Sequence, residues 1–289
     1  MDSPFPPSPL DFDGERRKDS VQLEAAWEKA EVIAVDLNEE TFTGTAGGLE
    51  YLSPDKAPEG RRVFLGTGNK PVFAVFTSLS DGVRLRSSRT HWSDVDVAVA
   101  MEALAVGQWH ERHRFHPRTG LPLSADEGGW VLRDTEGNSH FPQISPAVIT
   151  LIHDGADRVL LVKHAHGALN RKRRFALVAG FVDPGESAED AVIREIGEEV
   201  GLEAWNLKYL GSQPWPFPAS LMFAYTAQAD PEACLQLQDS EIAQAQWFSR
   251  AEVDEIFNAA DGWWGQGFMR SSTALRIVNH WLGNETSYR

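Results

Sequence analysis

The sequence predicts an α+β protein of two folded domains separated by a short connector. Three observations predict it. The 289 residues exceed one ordinary small domain, and either half is long enough to bury a core. Short apolar runs recur between turn-rich stretches, the mark of strands. Segments with helical spacing of apolar residues begin at cap residues and, in one case, end at glycine. The composition, 42% hydrophobic and 24% charged, is that of a folded chain, and no run of about 18 apolar residues exists to span a membrane.

Residues 1–20 carry prolines and acids where a signal peptide needs a basic start and an apolar stretch, so they read as a mobile lead-in. Residues 21–109 form the first domain. Its apolar runs Val32–Val35, Val63–Leu65 and Val72–Phe76 are separated by turns such as Gly66–Pro71. A helix capped by Ser93 follows, with Val95, Val99, Leu104 and Val106 as its apolar stripe through to Trp109. Residues 110–143 are poor in aliphatic side chains and read as a compact connector. The second domain, residues 144–289, opens with the apolar run Ala147–Ile152. A turn at Asp154-Gly155 leads to Val159–Val162, then a basic loop, Arg171–Arg174, then a strand, Phe175–Gly180. An amphipathic helix from Ser272 to Trp281 ends it.

The single cysteine, Cys234, excludes an intramolecular disulfide and a cysteine zinc cluster within one chain, and a reducing cytoplasm fits such usage. A net charge of −15 argues against broad electrostatic binding to nucleic acid. Handling an anionic phosphate then requires positive charge supplied locally.

The segment from Gly180 to Leu202 carries the chemistry. Ser187 with Asp190 resembles a capping box, so a helix starts there. Ala188, Val192, Ile196 and Val200 repeat every four residues as a buried stripe, and Gly201 is a natural terminator. On that helix Glu195, Glu198 and Glu199 share a face. Three such carboxylates repel one another unless a cation sits among them, and oxygen ligands of this kind suit Mg²⁺ or Mn²⁺. Glu186 precedes the helix and can turn back toward the cluster, and Arg194 can hold a carboxylate bidentately. By itself Glu195-x-x-Glu198-Glu199 also fits a solvated acidic helix face. The whole segment, however, matches the Nudix box G-x5-E-x7-R-E-U-x-E-E-x-G-U, with U a bulky aliphatic, at every specified position. At average residue usage the chance of that at a given start is on the order of one in a billion.

Eleven residues after Gly201 begins Ser212-Gln213-Pro214-Trp215-Pro216-Phe217-Pro218-Ala219-Ser220, which resembles the SQPWPFPxS signature of the NADH pyrophosphatase (NAD-capped RNA hydrolase) family. Three prolines stiffen it and present two aromatic rings. The resemblance extends through Phe64-Leu65-Gly66, Phe73–Val75, Phe141–Ile149, Asp239–Ile242 with Trp247-Phe248, and Ser272–Ala274. It implies a Nudix α/β/α sandwich preceded by an N-terminal α+β domain, and a homodimer. It further implies metal at Glu195, Glu199 and Glu241, with Glu198 either a ligand or the base that activates water. Phe181 and Phe141 would stack on rings of the substrate, with Ala179, Ala274, Gln213, Trp215, Phe217 and Ser220 around them. Phe141 stands where the family has tyrosine. The family's four-cysteine zinc ribbon is replaced by His116, Thr119, Arg133 and Glu136, which cannot make a thiolate zinc site. The expected connector is therefore ribbon-shaped without zinc, packed around Phe115, Leu121, Trp130 and Leu132.

The reaction so implied is hydrolysis of the pyrophosphate of NAD(H) to NMN(H) and AMP, with Arg194 and the glutamates as its machinery. Removal of an NAD cap from RNA, or cleavage of another derivative such as ADP-ribose, would use the same chemistry. A non-catalytic nucleotide sensor would show a broken box or a fused DNA-binding domain, and neither is visible.

Overall fold

The computed structural model describes residues 3–86, 91–165, 175–238, 240–258 and 272–283. The basic loop at Arg171–Arg174 and Asp239 of the downstream acidic motif lie outside the described residues. Two compact units emerge, and neither is continuous in sequence. One comprises Met1–Pro6, Ser145–Gln213 and Ser220–Arg289; the other comprises Pro7–Ile144 and Pro214–Ala219. Among the described residues, no helix is long and apolar enough to cross a membrane.

In the N-terminal unit, β1 (Glu31–Asp36), β2 (Thr41–Phe42), β5 (Arg61–Thr67), β6 (Pro71–Phe76) and β7 (Val83–Arg84) form one sheet in the order β5-β6-β1-β2-β7. A small hairpin, β3 (Gly44–Thr45) with β4 (Gly48–Leu49), stands apart from it. The run Val32–Val35 is fully buried, so it reads as continuous apolar sequence rather than an alternation, and β1 lies parallel to β6. Two helices accompany the sheet. α1 (Ser20–Trp27) is capped by Asp19, whose carboxylate accepts from the Val21 and Gln22 amides; α2 (Asp94–Arg112) is capped by Ser93. The buried side of α2 carries Val99, Leu104, Val106 and Trp109, but Val95 is half exposed: in the first turn the stripe starts at Val97 instead. The expected lead-in is pinned at its centre. Leu10 is buried, and Asp11 exchanges backbone hydrogen bonds of 2.9 and 2.8 Å with Thr67.

The connector is a three-stranded sheet of β8 (Leu123–Asp126), β9 (Val131–Asp134) and β10 (Ser139–His140) in the order β10-β9-β8. Phe115, expected in its core, is exposed. Val131, Leu132, His116, Asp134 and His140 are buried there. Trp130 is half-buried, its indole N–H donating to the Phe64 carbonyl at 2.7 Å and its ring lying 3.7 Å from the Arg17 guanidinium. The four positions that hold cysteine in the resembled family are engaged otherwise. His116 Nδ1 accepts from the Arg118 and Thr119 amides, and Thr119 Oγ1 donates to Asp134 at 2.8 Å. Arg133 pairs with Asp126 at 2.7 Å, and Glu136 donates its amide to Asp134. These donors and acceptors satisfy one another and do not fit zinc.

The second unit is built on a six-stranded sheet. β11 (Ser145–His153) lies at its centre, antiparallel to β12 (Arg158–His164) and β13 (Val178–Phe181) and parallel to β15 (Ser220–Gln228). β14 (Trp205–Trp215) adds beyond β15, and β16 (Ile242–Ser249) beyond β12. Alternate residues of β11 face opposite sides, so one strand feeds two cores. Val148 and Ile152 meet Ala191, Val192, Ile196 and Val200 of α3 (Ala188–Val200). Ile149 and Leu151 meet Val253 of α4 (Arg250–Asn258) and Leu275, Ile277 and Val278 of α5 (Thr273–Leu282). Helices on both faces make this the expected α/β/α sandwich, and burying each such aliphatic side chain is worth about 1.5–3 kcal/mol.

Candidate active site

The site is assembled on α3 and the end of β13. Ser187 Oγ accepts from the Asp190 amide at 3.1 Å and donates to its carboxylate at 2.6 Å, which fixes where the helix begins. Gly201, at φ 71°, ends it in a left-handed turn. The helix buries Val192, Ile196 and Val200, and that choice of face takes Glu199 inside as well, because position 199 lies three residues after 196 and seven after 192. Glu199 is 1% exposed.

Neither carboxylate oxygen of Glu199 has a hydrogen-bond partner. Burial, and then the charges of Glu195, Glu241 and Glu198, push its pKa up to about 8. The Ala179 amide opposes this but falls short of a hydrogen bond. Burial also raises Glu195, against the pull of Arg194. Arg194 is the organiser. Its guanidinium grips Glu186 at 2.8 and 2.9 Å, Glu195 at 2.8 Å and Glu198 at 3.1 Å, and it donates to the Phe181 carbonyl at 2.8 Å. Glu186 is thereby drawn down to about 2, first by Arg194 and then by the Asp183 amide. The Glu195 carboxylate rests directly on Gly180, where an added Cβ would stand 1.9 Å from Oε1. Glycine there is a requirement of close approach.

Glu241 is anchored by its backbone: its carbonyl accepts from Ala165 at 2.7 Å and its amide donates to Gln238 at 2.9 Å. Half-buried His164 feels the Glu241 charge, although burial still lowers its pKa. Among the described residues no three His, Cys, Asp or Glu side chains converge on one point, and Arg194 engages the oxygens of Glu195 and Glu198 that a cation would need. The donor set nevertheless fits a hard divalent cation. A buried, unpartnered carboxylate flanked by three others is costly without positive charge.

The remaining residues singled out from the sequence divide between the units. Ala179 is half-buried on β13, Phe181 is 58% exposed at its end, and Gln213, Ser220 and Ala274 are buried. Gln213 accepts from Thr273 Oγ1 at 2.6 Å. Phe141, Trp215 and Phe217 belong to the other unit. There Phe141 is exposed, Trp215 and Phe217 pack edge to face at 5.2 Å, and the Arg86 guanidinium lies 4.0 Å from the Phe217 ring. Sequence reasoning gave no role to Thr273 or His164. Their roles arise only from strand and helix neighbours distant in the chain.

Comparison with known proteins agrees with this geometry. The NUDIX domain model matches residues 144–267. The chain is 38% identical, over 85% of its length and 82% of the other's, to the NAD-capped RNA hydrolase NudC of Mycobacterium bovis. The Nudix hydrolase chain described here belongs to the NADH pyrophosphatase family. It is also 37% identical to the protein of the same name from Mycobacterium tuberculosis, at the same coverage. To the mitochondrial NAD(P)H pyrophosphatase NUDT13 of Mus musculus it is 38% identical over 174 residues, 59% of this chain and 48% of that one. Members of the Nudix family generally work with divalent metal ions.

Proposed function

We propose that this Nudix hydrolase cleaves the pyrophosphate of NAD(H), giving NMN(H) and AMP, with Mg²⁺ or Mn²⁺ held by Glu195, Glu199 and Glu241. The observation that carries the reading is the partnerless, buried Glu199 among three further glutamates. The ion, when bound, supplies neutralisation of the diphosphate and acidifies water. The chain's own residues do the rest. Arg194 keeps Glu195 and Glu198 in reach and ties them to the Phe181 carbonyl, so the backbone that carries the Phe181 ring is anchored to the carboxylates. Glu198 pairs with Arg194 through one oxygen at 3.1 Å, yet its side chain is 54% exposed against 14% for Glu195, which suits it to take a proton from water as the new P–O bond forms and the bridging P–O bond breaks. Phe181, exposed, offers a ring face for a base or nicotinamide. A homodimer belongs to the same reading, and sedimentation at micromolar concentration tests it.

A second reading has the same bond cut at the 5′ end of NAD-capped RNA. The name of the mycobacterial relatives, NAD-capped RNA hydrolase, favours it, while the net charge of −15 favours the free dinucleotide. Product analysis of purified protein with NADH and Mg²⁺ or Mn²⁺, beside Glu199→Gln, separates these. NMNH and AMP from the wild type alone are the expected result. Cleavage only of capped RNA or ADP-ribose would sink the free-dinucleotide reading and keep the chemistry.

A further inference from the structure

Residues 3–6 belong to the Nudix unit although the 138 residues after them, Pro7–Ile144, do not. They lie across two elements of that unit. Ser3 Oγ donates to the Leu210 carbonyl of β14 at 3.0 Å, and Arg276 Nη1 of α5 donates to the Pro4 carbonyl at 3.2 Å. Thr273 of α5 closes the triangle by its 2.6 Å bond to Gln213 of β14. The bond to Arg276 is interior, with Pro4 buried and Arg276 4% exposed, whereas the Ser3 bond lies at the surface. Phe5 packs against the core that includes Ala274 and Leu275, beside Ala179, Leu210 and Met222. The strand is shaped to receive the segment. At Gly211, φ 149°, an added Cβ would stand 2.6 Å from the Phe5 ring and 2.7 Å from Ser3 Oγ.

We propose that Ser3, Pro4 and Phe5 form a strap that positions the dinucleotide pocket, locking β14 against α5 so that Gln213 and Ala274 hold their places. This rests on the functional reading above and on the family resemblance, which places those two residues around the rings of the substrate. The strap lies on one core of the sandwich, with Ala274, whereas the glutamate helix α3 packs on the other. Loosening the strap therefore leaves the hydrolytic carboxylates in place and lets the pocket wall move. A wall that must be ordered as substrate enters weakens binding before it slows the chemical step.

The test is steady-state hydrolysis of NADH with Mg²⁺ by the full chain, by a form lacking residues 2–5, by Phe5→Ala and by the conservative Phe5→Leu. The deletion and Phe5→Ala should raise KM about tenfold, with kcat within about twofold and the half-saturating Mg²⁺ concentration unchanged. Phe5→Leu should restore most of the affinity. Unchanged KM in the deletion overturns the proposal. So does a joint fall of kcat, metal affinity and melting temperature, which marks a merely structural segment. A wild type that leaves NADH intact overturns the substrate reading, and this inference falls with it; a wild type that cuts NADH equally with and without the strap overturns the inference alone.

Discussion

Asp134 in one unit and Glu199 in the other are both buried carboxylates, and the two are treated in opposite ways. Asp134, in the connector, accepts from Thr119 Oγ1, from the Glu136 and Asn138 amides and from Asn138 Nδ2, at 2.8 to 3.2 Å. Burial alone would raise its pKa, but the bonds from Asn138, Thr119 and Glu136 draw it down to about 2. Glu199, on the Nudix helix, accepts nothing and is pushed up to about 8. A carboxylate saturated with donors is a cross-link, and here it ties Thr119 to the turn from Asp134 to Asn138. A bare one weakens the fold at neutral pH unless a cation joins it.

The largest effect that can break this comparison is chemical. Glu199→Gln should lower hydrolysis by roughly a thousandfold or more, a loss on the scale of several kcal/mol of transition-state stabilisation. The same change removes a buried charge, so the metal-free variant should melt no lower than the wild type by calorimetry; a marked drop would mean Glu199 has a structural partner after all. Gly180→Ala comes next. Its methyl would occupy the place of the Glu195 carboxylate, and kcat/KM should fall about ten- to a hundredfold while the circular dichroism spectrum stays native. Wild-type kcat/KM in this variant would show that Glu195 is free to relocate.

The pH dependences of the two carboxylates should have opposite signs. Glu199 rises from an ordinary 4.5 to about 8, so the folded metal-free protein binds the extra proton and loses stability as pH climbs through that window. A cation must displace this proton. The half-saturating Mg²⁺ concentration should then fall by up to about tenfold between pH 6.5 and 7.5, and level off above 8. A flat titration would remove Glu199 from the ligand set. Asp134, lowered from 3.8 to about 2, contributes stability that is present above 3.8 and lost as pH falls toward 2.

The smallest effect on activity belongs to Asp134→Ala. It leaves Thr119 and two backbone amides without an acceptor and should lower the melting temperature by several degrees, with kcat nearly unchanged. A chelator should do the reverse, stopping hydrolysis and leaving the melting of the connector where it was. If chelation melts the connector, a metal site exists there that the hydrogen bonds around His116 and Asp134 do not reveal.

Much of the catalytic helix was legible in the sequence, because its determinants are local. A capping pair, a four-residue apolar repeat and a terminating glycine fix Ala188–Val200, and periodicity alone places Glu195, Glu198 and Glu199 on one side. The α+β class followed from apolar runs of the right length, and the sandwich from the family resemblance. Less of the connector could be read: His116 and Leu132 are buried, yet Phe115 is exposed, since in a small sheet the strand register decides which side chain turns inward. Val95 failed for a related reason, lying at a helix end where the apolar stripe has not yet met the sheet.

By itself, the sequence determined the Nudix helix, its carboxylates and the stiff SQPWPFP segment, because caps, periods and proline act over a few residues. Only the tertiary structure decided which of three similar glutamates would be buried without a partner, that Arg194 would hold the other two and Glu186 at once, and that residues 3–6 would cross to the Nudix unit and lie against Arg276. Those outcomes depend on which surfaces meet across β11, β13, β14 and α5, and burial and unmet hydrogen bonds are properties of such meetings rather than of any one segment.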